Sequence, residues 1–129
     1  MFAQSKNIYI SMQNQADVQN ANKIELVVLV YDKVVFHINN AIKAINTNNL
    51  ELKLHSINKA LNIIELGLLS YLDLSQGDVA KNLESFYTSS MLVLTQSNIN
   101  NNAKDLQKIA DSFIELRDAW KNISEKQLV

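Results

Sequence analysis

Four stretches of this 129-residue chain carry apolar side chains at the spacing of an α-helix, and the breaks between them are only a few residues long. In the first, about Lys23 to Asn46, Ile24, Tyr31, Ile38 and Ile45 fall seven apart, with Val27/Val28, Val34/Val35 and Ala41/Ile42 between them. The valine-rich front half alone would suit a buried strand. Three heptads in register are too long for one, so the segment reads as helix. Asn22 stands as its N-cap, with Glu25 three residues on completing a capping box. The second, about Leu50 to Leu72, sets the row Leu50, Ile57, Ile64 and Tyr71 beside the row Leu54, Leu61 and Leu68, and Asn49 caps it. The third, about Asp78 to Asn98, uses Val79, Leu83, Phe86, Ser90 and Val93 or Leu94. Gly77 frees the turn before it, and Asp78 places negative charge at the positive end of the helix dipole. The fourth, about Ala103 to Ile123, uses Leu106, Ile109, Phe113, Leu116, Trp120 and Ile123, with Asn102 and Asp105 as cap and third-position carboxylate. Short connections force successive helices to lie antiparallel. The expected fold is therefore all-α: an antiparallel up-down four-helix bundle over 22–124, after a weakly patterned leader over 1–21 and before a tail over 125–129.

Composition then removes most chemistry. Two glycines, at 67 and 77, cannot supply a GxGxxG or GxxxxGK[ST] phosphate loop or a Gly-x-Ser-x-Gly elbow. With no cysteine there is no disulfide, thiolate zinc site or cysteine nucleophile. A net charge of −1 generates no field that would gather nucleic acid. The longest apolar run, Leu26 to Tyr31, falls far short of the ~20 residues that span a bilayer, and the first ten residues lack the pattern of a secretory signal. No membrane insertion is expected, and the cytoplasm is the expected compartment. Neither His37 nor His55 follows a glutamate by three, as a di-iron bundle needs; Glu51 lies four before His55, and two ligands do not make a site. Both histidines read as solvated or core-edge. Met12 and Met91 could join them as haem ligands by count alone, without any attachment motif. Glu115 and Asp118 read as a solvated stripe with Arg117 and Lys121. Neither an enzyme nor a cofactor is expected. Asparagine fills the deficit of charge, with runs at Asn48–Asn49 and Asn100–Asn102 that codon bias explains as well as function does.

What remains is surplus apolar surface. The first helix offers Leu26, Leu29 and Phe36 off its seam, and the second offers Leu52, Leu66 and Leu69. A wider core would absorb them one by one. Taken together, on two adjacent helices, they outline a groove for an apolar partner helix. A bundle that pairs this face with its own copy, or one that holds a cofactor, is the alternative.

Several short strings, in order, carry a resemblance. They are Leu29-Val30-Tyr31-Asp32, then Leu72-Asp73 followed by Gly77, Ala80-Lys81-Asn82-Leu83, Phe86-Tyr87, Asn98-Ile99 and Glu115-Leu116-Arg117-Asp118-Ala119-Trp120. In this order and spacing, over about Val18 to Ile123, the chain resembles the FliS-type flagellar export chaperones, which bind flagellin. Asn22-Lys23 stands where that family often has Ser-Pro, Lys33 where a small residue commonly follows Tyr-Asp, and Gln76-Gly77 where Gly-Gly is usual. The resemblance implies a cytoplasmic chaperone that holds the C-terminal segment of flagellin before export through the flagellar type III apparatus. It implies as further partners the flagellar export gate and other flagellar regulators or co-chaperones. It also implies an N-terminal lid over part of the apolar surface, for which Ile8, Tyr9 and Met12 are the candidates here.

Overall fold

The computed structural model describes the backbone of residues 18–128 and the side chains of 24–123 other than Gln76. The expected lid residues Ile8, Tyr9 and Met12 lie outside the described residues. Helix α1 spans Val18–Asn46. Helix α2 covers Leu50–Asn62, then continues through a π-helical turn, Ile63–Leu68, and a 3-10 turn, Leu69–Tyr71. A further 3-10 turn, Leu74–Gln76, leads into α3, Asp78–Asn100, and α4 covers Ala103–Leu128. Among the described residues there is no strand. Helix α1 lies closest to α4 and α2, while α3 closes the ring between α2 and α4. This is the expected up-down-up-down bundle.

The helix ends moved at both termini. Asn22 is not the N-cap, because α1 already runs through it from Val18. Residues 18–23 contain neither proline nor glycine, so extending the helix costs a few tenths of a kcal/mol per residue in propensity and gains a backbone hydrogen bond each time. The same reasoning carries α4 through Leu128, into the expected tail.

The two asparagine runs build the turns. Asn48 and Asn101 adopt the left-handed conformation, with φ of 54° and 55°, a region that asparagine tolerates better than other residues with a β-carbon. The next asparagine caps the following helix in each case. Asn49 Oδ1 accepts from the Leu52 amide at 3.1 Å. Asn102 Oδ1 accepts from the Asp105 amide at 3.1 Å, and its own amide donates to Asp105 at 2.9 Å. The expected caps at Asn49 and Asn102 are in place, and a chain with two glycines turns twice without using either. Gly77, at φ 113°, makes the remaining turn, and Asp78 opens α3 as expected.

The core follows the expected rows on three helices. Ile24, Tyr31 and Ile38 of α1, Leu83 and Leu94 of α3, and Leu106, Phe113 and Trp120 of α4 are all buried. Helix α2 departs from its expected rows. Ile57, Ile64 and Leu68 are buried, but Leu50, Leu54 and Tyr71 are exposed, and Lys53, Ser56 and Ala60 take the inner face. Leu50 is the first residue of α2, at the end of the bundle, and Tyr71 follows the π turn, whose wider pitch rotates it off the row. Leu54 yields its place to Lys53, whose apolar stem fills the seam while its ammonium reaches the end of α3.

Candidate partner-binding face

Residues 26, 29, 33 and 36 recur at the three- and four-residue steps that share one helix face. On α1 that face points away from the row of Tyr31, Val34 and Ile38, and it is left open. Leu26 is 59% exposed, Leu29 50% and Phe36 59%, with exposed Lys33 between them. The π turn of α2 runs alongside. A β-carbon built on Gly67 would meet Val30 at 3.6 Å, so the chain neighbours of that contact, Leu29 and Leu66, flank the crossing of α1 and α2. Leu66 is 65% exposed. Four of the six residues expected to line a groove are therefore open to solvent. The other two are not: Leu69 packs half-buried against the core, and Leu52 is half-buried near the opposite end of α2. Tyr71 and Leu74, just beyond the π turn, are two further exposed apolar side chains. A heptad row assumes a straight α-helix and so set Tyr71 in the seam, but this helix changes pitch at residue 63; Leu74 lies past Leu72, where the apolar rows end.

A basic edge borders the stripe. The ring of Phe36 meets that of His37 edge-on at 5.2 Å between centroids. Partial burial holds the His37 imidazole below its usual pKa, and the positive charges of His55, Lys59 and Lys33 push it the same way. Among the described residues no group of three or more His, Cys, Asp or Glu side chains could hold a metal ion. No helix among them is long and apolar enough to cross a membrane.

Behind the open stripe, α1 is fastened by a buried aromatic cluster. The Trp120 indole N–H donates to the Tyr31 hydroxyl at 3.3 Å, and the Tyr31 and Tyr87 hydroxyls are hydrogen-bonded to each other. Phe113 packs edge-on against Tyr31 at 5.4 Å and parallel to Tyr87 at 6.3 Å. At the rim, Arg117 donates to Asp32 at 2.8 Å and also reaches Asp118. Arg117 is thus not simply part of a solvated stripe: it ties α4 to α1, and the hydrogen bond it donates to Asp32 is the main cause raising its pKa. Because this pair is part-exposed, its contribution is that of a surface ion pair, about 0.2–1 kcal/mol.

Tyr31→Phe is expected to cost about 1–2 kcal/mol, because it withdraws one oxygen from both Trp120 and Tyr87. A urea melt reads the loss. An unchanged midpoint would mean that the hydroxyl contributes only bulk.

Three of the strings that carry the resemblance meet in this cluster: Tyr31 and Asp32 from the first, Tyr87 from the fourth, Arg117 and Trp120 from the last. The profile of the family described as flagellar protein FliS matches residues 5–127. The flagellar secretion chaperone FliS of Escherichia coli is 29% identical over 120 residues, covering 92% of this chain and 88% of its own. That of Salmonella typhimurium is 27% identical over 119 residues, again 92% and 88%, and that of Campylobacter jejuni 25% over 118, covering 91% and 90%. With nearly the whole length matched on both sides, the chain belongs to the FliS family of flagellar proteins.

Proposed function

We propose that this protein is a flagellar secretion chaperone that binds the C-terminal segment of flagellin in the cytoplasm. It holds that segment back from premature polymerisation and keeps it competent for the flagellar type III export apparatus. The observation that carries the reading is the open apolar stripe of Leu26, Leu29 and Phe36 beside Leu66, on a member of the FliS family. An amphipathic segment of flagellin, which polymerises by packing against its own kind, would bury its apolar side on that stripe as a helix. Binding then couples to folding of the partner. The ordering costs about 2–5 kcal/mol, so it requires a large apolar contact and carries a strongly negative heat-capacity change. The bordering ammonium groups of Lys33 and Lys59 would favour acidic residues on the polar side of the same segment.

Calorimetric titration with a flagellin C-terminal peptide tests this. Saturable binding is expected at micromolar concentration, with a negative heat-capacity change; silence in that range would count decisively against it. Light scattering with and without the peptide separates the second reading, a bundle that pairs this face with its own copy. In that case the dimer exists alone and the peptide leaves it intact.

A further inference from the structure

At the end of the bundle away from the π turn, the two asparagine turns face each other across Lys53. Its side chain is almost entirely buried, at 7% exposed, and its ammonium donates to the Asn98 carbonyl at 2.9 Å and to Asn101 Oδ1 at 2.7 Å. Among the described residues no carboxylate pairs with it. Beside it opens a cavity of about 310 Å³, walled by Ile45 and Leu50 on its apolar side and by Asn48, Asn49, Asn101 and Lys53 on its polar side.

The hydrogen-bonding capacity left over at this wall is one-sided. Lys53 has three N–H donors and two named acceptors, so one donor remains. Asn49 has committed its oxygen to the Leu52 amide, and Asn101 has committed its oxygen to Lys53. Their NH2 groups and that of Asn48 donate to nothing among the described residues. Of the three amides only Asn48 keeps an uncommitted oxygen. The three asparagines are exposed, so water satisfies their NH2 groups until a ligand displaces it, and the buried Oδ1 of Asn98, the residue whose carbonyl Lys53 caps, also lacks a partner among the described residues. Donors still outnumber acceptors around a buried ammonium that no carboxylate pairs with, and that excess suits an anion. The apolar side suits a few attached carbons, and the two planar oxygens of a carboxylate match donors spread over two turns.

We propose that this cavity is a carboxylate-binding site, taking a carboxylate with a short apolar tail. The tail belongs either to a small free acid or to the end of a polypeptide. The proposal is independent of the flagellin reading, since the cavity and the stripe lie towards opposite ends of α2.

The test is the side-chain amide region of a proton–nitrogen NMR spectrum at constant ionic strength, titrated with butyrate, butyramide and N-acetyl-dialanine. Butyrate is expected to shift the NH2 signals of Asn48, Asn49 and Asn101 saturably in the millimolar range, and butyramide to leave them still. Lys53→Met should weaken butyrate by about tenfold or more, through loss of the charge-assisted bond. Asn48→Gly keeps the left-handed turn, removes one donor and should weaken binding about threefold; it carries the test should Lys53→Met not fold. Tighter binding of N-acetyl-dialanine than of butyrate would identify a chain terminus, and equal binding a free acid. Shifts that do not saturate, that butyramide matches, or that survive unaltered in the folded variants would overturn the proposal.

Discussion

Trp120→Ala is expected to lower the stability of the bundle by about 3–5 kcal/mol, the usual range for deleting a large aromatic from a packed core. The indole is 1% exposed and sits where α4 meets α1, so the hole opens in the closest interface of the bundle. Tyr31 also loses the indole N–H that reaches its hydroxyl. Domains of this size hold only about 5–15 kcal/mol in all, so the variant should melt many degrees early and populate unfolded chain at body temperature. Chemical denaturation measures the effect directly. A loss near 1 kcal/mol would mean that the neighbouring Phe113 and Tyr87 rings close over the hole.

The second large effect concerns binding and leaves stability nearly alone. Leu66→Asp places a carboxylate in the middle of the open stripe. As Leu66 is 65% exposed, the melt should move by no more than about 0.5 kcal/mol. A flagellin peptide seated on that stripe would have to bury the new charge, so affinity should fall by about 2 kcal/mol or more, roughly thirtyfold. Leu92→Asp is the control. It is equally exposed, on α3 across the bundle from α1, and should leave the peptide's affinity unchanged. Equal losses at the two sites would spread the contact around the bundle, and unfolding by Leu66→Asp would place Leu66 in the core.

The bundle was legible because its evidence is redundant. Each of α1, α3 and α4 offers several apolar turns in register, so an error at one residue leaves the face unchanged. The caps at Asn49 and Asn102 were legible for a different reason: a cap is a local pairing of one side chain with an amide three residues on. What escaped had non-local causes. A change of pitch at Ile63 decides that Tyr71 faces solvent, and no single residue type announces it. Lys53 turns inward because the end of α3, 45 residues away, presents a carbonyl and an asparagine oxygen. Arg117 looks like one charge among several on α4 until Asp32, 85 residues earlier, comes alongside. At the stripe itself, Leu26, Leu29, Phe36 and Leu66 were legible as an excess over what the seam needs, whereas Leu69 was absorbed by packing against the core and Leu52 sits half-buried at the other end of α2.

The fastening of α1 to α4 has a consequence for how the protein comes into being. Tyr31 and Trp120 are 89 residues apart, so the contact closes a loop of more than two thirds of the chain. During synthesis α1 and α2 can pair early, but the inner side of α1 stays uncovered until α4 has left the ribosome. The chain therefore gains its cooperative core late and all at once. Until then α1 exposes apolar surface on both sides, the stripe that stays open and the row that α4 will cover. A fragment ending after α3 should accordingly remain a loose, sticky chain.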